Sequence, residues 1–356
     1  MRRELWKGNE AIAEAAIRAG CRFYFGYPIT PQSEIPEYMA AHLPERGGVF
    51  LQAESEISAI NMVYGAAGAG ARVMTSSSSP GVSLKQEGIS FIVGAELPAV
   101  IVNVMRSGPG LGGIQPAQGD YFQATRGGGN GDYHHLVLAP NSIQEAVDLM
   151  QLAFELADKY RNPVMILADG MIGQMMEPVE WKKAEITEAR VYPEWATTGR
   201  GGRENHRIVN SLYIESEIME AHVHHLFSKY KAMEENEVLY EESGIEDAEV
   251  VLVAYGVPAR IADKAVELLK EEGIKAGLFR PITLWPYPKK RLNDIASLDH
   301  VKNFVVVELS MGQMLEDVQL SVNGKKPVHF HGRPGGAIPS PGEVKDAVKK
   351  FIGRES

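Results

Sequence analysis

The sequence is poor in cysteine and has no long hydrophobic run. Cys21 is the one cysteine among 356 residues, which excludes a disulfide scaffold and any iron–sulfur cluster or cysteine-rich zinc site held by this chain alone. The most apolar stretch, residues 91–105, contains Glu96 and Pro98 and is too short to cross a bilayer. The N-terminus lacks the apolar segment of a signal peptide, so we expect a cytoplasmic protein with no membrane partner.

Positive charge is also scarce. The 36 Lys and Arg residues are outnumbered by 46 Asp and Glu residues, and the net charge of −10 disfavours nucleic acid as a partner. The chain has 44% hydrophobic and 23% charged residues, an ordinary globular composition. Its length suggests two domains. Any redox chemistry would need electron carriers on another polypeptide, because this chain lacks cysteine ligands for them.

Strand and helix patterns alternate along most of the chain. The first predicted strands are 22–27, 49–53, 72–76, 99–105, 135–139 and 163–168. The predicted helices between them are 9–19, 32–42, 55–69, 82–93 and 143–156. This order predicts an α/β fold with a doubly wound, mostly parallel sheet, and the alternation resumes at residue 249 in a second, smaller α/β domain. The predicted domains are 1–177 and 248–356, joined by a linker with a charged helix over 178–247.

A glycine-rich stretch and a histidine cluster raise the possibilities of dinucleotide binding and metal binding, and we favour neither. The stretch Gly108-Pro-Gly-Leu-Gly-Gly113 matches a dinucleotide-binding pattern, but residues 114–119 break a helix where that site needs one to begin. We therefore interpret it as a mobile loop beside a site or an interface. His222, His224 and His225 are typical of an exposed polar helix face, and no metal site is predicted.

Polar side chains follow four of the predicted strands where each strand ends. They are Thr30, the pair Glu54 and Glu56, the hydroxyl run at 75–79, and Arg106. Carboxyl ends of parallel strands form ligand sites in open α/β sheets, and arginine suits a carboxylate ligand. Each feature alone also has a structural interpretation, because Thr30 could cap a helix and the two glutamates could complement a helix N-terminus.

The strand-end motifs resemble a known enzyme family. They are Gly26-Tyr-Pro-Ile-Thr-Pro31, the segment from Glu54 to Gly65, Thr75-Ser-Ser-Ser-Ser-Pro-Gly81 and Val104-Met-Arg106. Together they resemble the α subunit of thiamine-diphosphate-dependent 2-oxoacid:ferredoxin oxidoreductases, and most closely the 2-oxoisovalerate (3-methyl-2-oxobutanoate) type. Residues 278–286 and 305–313 are similar to the transketolase C-terminal type of domain.

The resemblance implies one part of a hetero-oligomer. This chain would supply the domain that binds the aminopyrimidine ring of thiamine diphosphate, and a β subunit would hold the diphosphate and Mg²⁺. The partial motif Ala168-Asp-Gly170 lacks the asparagine of the family's diphosphate anchor. The other implied partners are a γ subunit, a ferredoxin-like δ subunit with 4Fe–4S clusters, and ferredoxin. The implied reaction is oxidative decarboxylation of a small 2-oxoacid, with coenzyme A as co-substrate, to acyl-CoA and CO₂.

The resemblance also assigns roles to the residues at the strand ends. The implied cofactor contacts are Glu56, Glu54, Ile29, Ser77 and Ser78. Glu56 would bond the ring nitrogen N1′ and so assist removal of the proton at C2, with Glu54 as the fallback. Arg106 would pair with the substrate carboxylate, and Thr30 would bond a substrate oxygen.

Several alternatives remain open from the sequence. A 2-oxoglutarate substrate would need a second cation, for which Arg126 is the nearest candidate. A non-oxidative thiamine-dependent decarboxylase or synthase would also use Glu56 but no iron–sulfur partner. A non-catalytic scaffold module would bind no cofactor.

Overall fold

The computed structural model describes residues 3–183, 185–186 and 190–354. The strands before residue 200 are β1 (Glu4–Lys7), β2 (Phe23–Gly26), β3 (Val49–Gln52), β4 (Val73–Ser77), β5 (Ala99–Met105), β6 (Leu136–Leu138), β7 (Pro163–Asp169) and β8 (Met176–Val179). The helices before residue 240 are α1 (Gly8–Arg18), α2 (Glu34–His42), α3 (Glu56–Gly68), α4 (Ser79–Gly94), α5 (Tyr121–Arg126), α6 (Ile143–Tyr160), α7 (Gly170–Gln174) and α8 (Ser216–Asn236), with a 3-10 turn at Pro44–Arg46.

The remaining elements, apart from one strand, form a second α/β unit. The strands after residue 239 are β9 (Tyr240–Ser243), β10 (Val250–Val253), β11 (Ala276–Pro281), β12 (Thr283–Trp285), β13 (Asn303–Glu308) and β14 (Val328–Gly332), and all of them except β12 belong to this unit. Its helices are α9 (Gly256–Glu271), α10 (Lys289–Ala296), α11 (Gln313–Val322) and α12 (Pro341–Phe351). None of the helices within the described ranges is long and apolar enough to cross a membrane.

The large sheet confirms the predicted doubly wound architecture. Its strand order is β12-β6-β7-β5-β4-β2-β3, and all neighbours except β12 and β6 are parallel. Every residue of β5 and β7 is buried, as expected for central strands that helices cover on both faces. The carboxyl ends of β2, β3, β4 and β5 therefore meet at one edge of the sheet.

The second sheet has the order β14-β13-β10-β11-β9, with only β9 antiparallel to its neighbour. Strand β12 does not join it but pairs with β6 of the large sheet, so the two halves share a sheet. The domain limits at 177 and 248 stay a prediction. Elements that the sequence did not predict include the antiparallel pair β1 and β8, with four residues each, of which half are exposed.

Polar contacts fasten the loop after β5 to the second unit. Gln118 donates to the carbonyl of Tyr255 at 3.0 Å and accepts from the amide of Leu309 at 3.0 Å. The hydroxyl of Tyr121 donates to the Asp317 carboxylate at 2.6 Å. The glycine-rich loop that begins at Gly108 was interpreted above as mobile. These contacts hold its C-terminal part, at Gln118 and Tyr121, to the second unit.

A buried arginine also ties the two halves together. Arg280 of β11 is 2% exposed and donates to both carboxylate oxygens of Glu145 in α6, at 2.8 and 2.9 Å. Arg280 also lies 2.6 Å from the Glu241 carboxylate. Because removal of one partner from a buried ion pair costs about 3–5 kcal/mol, we expect Arg280→Met to lower the free energy of unfolding by about 3 kcal/mol or more. Chemical denaturation measures this. Arg291→Met removes a half-buried pair with Glu242 that solvent still screens, so it should cost under about 1 kcal/mol. Equal losses in the two variants would contradict the prediction.

Candidate active site

Residues at four strand ends come together in two pairs at the carboxyl edge of the large sheet. The guanidinium of Arg106, directly after β5, donates to the carbonyl of Thr30 after β2 at 2.9 Å. At the first turn of α4, a Cβ atom added to Gly81 would lie 2.1 Å from Ser77 Oγ and 2.7 Å from Glu56 Oε1. Ser77 and Glu56 therefore both lie where a side chain at position 81 would project, and the backbone leaves space for both side chains only because residue 81 is glycine.

Glu56 is the buried carboxylate of this edge. It is the first residue of α3 and is 7% exposed, and the Ser55 side chain caps the helix by accepting from the amide of Ser58 at 3.2 Å. Among the described residues no donor forms a hydrogen bond with the Glu56 carboxylate. A buried carboxylate without an internal partner needs a ligand donor or a nearby positive charge.

Glu54, the fallback residue, lies in a different environment. Its side chain is exposed and accepts from the Ser58 hydroxyl and, at 3.4 Å, from the Ser55 hydroxyl. The hydrogen bond from Ser58 lowers the pKa of Glu54. The sequence spacing did not decide between the two carboxylates, but the structure distinguishes them. Glu54 is hydrogen-bonded at the surface, whereas Glu56 is buried and forms no hydrogen bond with the described residues.

The serine run offers two buried hydroxyl groups without partners. Ser77 ends β4 and Ser78 precedes α4, and both are fully buried. Neither Oγ atom forms a hydrogen bond with the described residues, and Ser78 does not cap α4. Buried polar atoms are almost always hydrogen-bonded, so these orphaned hydroxyls indicate a polar ligand. Ser77 lies beside Glu56 at Gly81, and the two together fit an aminopyrimidine, which carries ring nitrogens and an amino group.

Arg106 is a buried cation without an anionic partner. It is 8% exposed and donates to the carbonyls of Thr30 and Leu111, the latter at 3.1 Å, while its Nε atom has no partner. No carboxylate among the described residues lies within 4 Å of its guanidinium. A buried charge of this kind suits an anionic ligand.

A cavity of about 670 Å³ opens beside Thr30. Thr30 is exposed at its wall, and the half-buried Ile29 accepts from the Gln32 amide at 3.2 Å in the turn that leads to α2. The apolar part of the lining includes Ile114, Met171, Met175 and Ile338. None of the lining residues is basic, and the one acidic residue among them, Glu34, is paired with Lys7.

Arg126 and Asp169 have structural partners. Arg126 lies 3.3 Å from the Asp317 carboxylate and over the Phe122 ring, so its charge is already paired. Asp169, of the Ala168-Asp-Gly170 motif, is buried and accepts from the backbone amides of Met171, Ile172 and Val257. Burial raises the pKa of Asp169, an environment unlike that of an exposed metal ligand.

Sequence reasoning missed Lys85 and Asp120. Asp120 accepts from Ser79 at 2.6 Å and Asn103 at 2.9 Å, and burial raises its pKa. Ser79 in turn accepts from the Arg106 amide at 3.0 Å, so this cluster holds Arg106 in place. The contact between Asp120, in the loop after β5, and Ser79, at the start of α4, leaves no periodic pattern in the sequence, so it could not be predicted.

Comparison with known proteins gives matches along nearly the whole chain. The family described as "Pyruvate flavodoxin/ferredoxin oxidoreductase, thiamine diP-bdg" matches residues 14–242, and "Pyruvate:ferredoxin oxidoreductase core domain II" matches residues 248–344. Ketoisovalerate oxidoreductase subunit VorB of Methanothermobacter marburgensis is 52% identical, covering 99% of this chain and 97% of that protein. The 2-oxoglutarate synthase subunit KorA of Methanocaldococcus jannaschii is 36% identical, covering 98% and 100%.

Solved structures agree with the sequence matches. A 2-oxoglutarate:ferredoxin oxidoreductase from Magnetococcus marinus, with 2-oxoglutarate, coenzyme A and succinyl-CoA bound, superimposes with a TM-score of 0.88 at 27% identity. The match covers 99% of this chain and 65% of that longer chain. A split-gene transketolase shares the fold, with a TM-score of 0.56 at 14% identity. The relatives are named as subunits, which implies a multi-subunit complex. The chain therefore belongs to the 2-oxoacid:ferredoxin oxidoreductase family, as a subunit that carries its thiamine-diphosphate-binding domain.

Proposed function

We propose that this chain is the α subunit of a 2-oxoacid:ferredoxin oxidoreductase whose substrate is the branched-chain acid 2-oxoisovalerate. The observation that carries the proposal is the unpaired, buried Arg106, which bonds the carbonyl of Thr30 on the wall of a cavity whose lining is partly apolar. The guanidinium matches the one carboxylate that every 2-oxoacid has, and the apolar wall matches an aliphatic side chain. The 52% identity to a ketoisovalerate oxidoreductase subunit supports the same substrate.

The proposed complex includes the partners implied by the sequence. A β subunit holds the diphosphate and Mg²⁺, because the motif at Asp169 is engaged in its own chain. A γ subunit, a δ subunit with 4Fe–4S clusters and ferredoxin complete a cytoplasmic assembly that transfers the acyl group to coenzyme A. The single buried Cys21 leaves electron transfer to those partners.

Each candidate site residue of this chain has a defined role in the proposed reaction. Thiamine diphosphate, when bound, supplies a carbon nucleophile and an electron sink for decarboxylation. Glu56 holds a proton at the ring nitrogen N1′, and Ser77 and Ser78 bond the polar edge of the ring. Arg106 binds the substrate carboxylate, and Thr30 bonds a substrate oxygen at the cavity wall.

Substrate choice between 2-oxoisovalerate and 2-oxoglutarate depends on a second cation. The distal carboxylate of 2-oxoglutarate would need a free basic side chain, but Arg126 is paired with Asp317 and no residue lining the cavity is basic. Burial of an unpaired carboxylate costs several kcal/mol. The charge distribution therefore favours the branched aliphatic acid.

We expect the reconstituted complex to prefer 2-oxoisovalerate by at least about tenfold in kcat/KM, which corresponds to about 1.4 kcal/mol of selective binding in the transition state. The measurement is reduction of a low-potential dye at equal coenzyme A concentration with each acid in turn. A preference for 2-oxoglutarate would reject the assignment and make that acid the substrate. Decarboxylation without dye reduction would indicate a non-oxidative enzyme instead.

A further inference from the structure

Lys85 is a fully buried cation close to the candidate active site. It lies on α4 with 0% exposure, and its ammonium group donates to the Thr75 hydroxyl on β4 at 3.0 Å. Lys85 has no carboxylate within 4 Å among the described residues. A lysine in this environment is costly unless a negative charge lies near it.

The packing of α3 against α4 places Lys85 on the face of α4 that contacts Glu56. Gly81 and Gly88 mark the two points where the helices are in closest contact, because added Cβ atoms there would lie 2.7 Å from Glu56 Oε1 and 2.5 Å from Ile60 Cγ2. Lys85 is four residues after Gly81 and three before Gly88, so it shares their face of α4. It is therefore enclosed between these two contacts, on the side that faces α3.

We propose that Lys85 is a positioning residue that keeps the Glu56 carboxylate ionised through space while leaving its oxygen atoms free for a ligand. A direct ion pair would occupy the carboxylate, whereas the bond to Thr75 holds the ammonium group aside. The inference extends the role proposed for Glu56, but it concerns charge within this chain and does not depend on which 2-oxoacid is the substrate.

The electrostatics of Lys85 agree with this geometry. Burial lowers the pKa of Lys85 to about 8, and the negative charge of Glu56 opposes that shift. Within the described ranges, Glu56 is the titratable group whose charge reaches Lys85, and its hydrogen-bond partner, Thr75, is neutral. Lys85 is thus mostly charged at pH 7, and it loses the charge as the pH rises through about 8.

Infrared titration of the cofactor-free complex tests the proposal. The C=O band of the protonated Glu56 carboxyl is identified as the band that disappears in the matching Glu56→Gln variant. The pH midpoint of this band is then compared in the wild type, Lys85→Met and Lys85→Arg. The matched control is Lys229→Met. Lys229 is a half-buried lysine of α8, and its ammonium group lies 3.3 Å from the Glu96 carboxylate.

We expect Lys85→Met to move the midpoint upwards by about one pH unit or more, because an opposite charge nearby favours the ionised carboxyl. Lys85→Arg should keep the midpoint near the wild-type value, and Lys229→Met should not move it. An unchanged midpoint in Lys85→Met overturns the proposal, and so does an equal shift in Lys229→Met. If the Lys85→Met complex does not assemble, Lys85→Gln replaces it. An upward shift of the midpoint in Lys85→Gln, with a wild-type midpoint in Lys85→Arg, then supports the proposal. An unshifted midpoint in Lys85→Gln overturns the proposal.

A second readout separates this proposal from the proposed function. The acid limb of the pH profile for thiamine diphosphate binding, followed by fluorescence quenching, should move upwards with Lys85→Met by the same shift as the infrared band. A complex that prefers 2-oxoglutarate would still show both shifts, so failure of the substrate assignment would leave this inference intact.

Discussion

Replacement of Glu56 by glutamine is expected to abolish exchange of the C2 proton of bound thiamine diphosphate while the complex still assembles. Glutamine has the same shape but cannot take up and return a proton. Because Glu56 forms no hydrogen bond with the described residues of its own chain, the change breaks no internal hydrogen bond, although it removes the negative charge that acts on Lys85. General acid–base groups contribute about 10²–10⁴-fold, so exchange should slow by at least about 10²-fold. Proton NMR of the reconstituted complex in D₂O measures the rate.

The matched control is Glu54→Gln, which makes the same change two residues away. Glu54 is exposed and engaged with the hydroxyls of Ser55 and Ser58, so its replacement should leave exchange within about threefold of the wild type. Near-normal exchange in Glu56→Gln with slow exchange in Glu54→Gln would transfer the role to Glu54. Normal exchange in both variants would remove the carboxylate from the mechanism.

The central strands were predictable because burial on both faces leaves an unambiguous pattern. The apolar run at 99–105 predicted a strand with the bounds that β5 has, and all seven of its residues are buried. Strand β12 was not predictable, since three residues carry no period and its partner β6 is distant in the sequence. The antiparallel pair β1 and β8 likewise depends on contacts between the two ends of one domain.

The sequence predicted which strand ends carry the candidate site, but it did not predict which side chains at those ends are buried and lie next to each other. The parallel order brings Thr30, Ser77 and Arg106 to one edge whatever the loops do, and that much follows from the pattern. The choice between Glu54 and Glu56 depends on which residue begins α3 and faces Gly81, which only the packing of two helices decides. Lys85 was missed for the same reason, because a lysine in a helical pattern is usually exposed.

Replacement of Arg106 by alanine is expected to lower kcat/KM for the 2-oxoacid by about 30- to 1,000-fold. This range corresponds to the loss of about 2–4 kcal/mol from a charge-assisted contact with the substrate carboxylate. Arg106→Lys should recover only part of the loss, because lysine keeps the charge but cannot bond the carbonyls of Thr30 and Leu111 with the same fork. Steady-state dye reduction at saturating coenzyme A measures all variants.

Arg126→Ala is the matched control for this prediction, since it removes an arginine of the same half of the chain that is paired with Asp317. Its expected effect on kcat/KM is below about threefold if 2-oxoisovalerate is the substrate, because no second carboxylate then needs a cation. A loss in Arg126→Ala as large as in Arg106→Ala would contradict the prediction and indicate that both arginines bind a dicarboxylate. The two variants therefore test the catalytic role of Arg106 and the substrate class with one assay, because a monocarboxylate depends on one of these cations and a dicarboxylate on both.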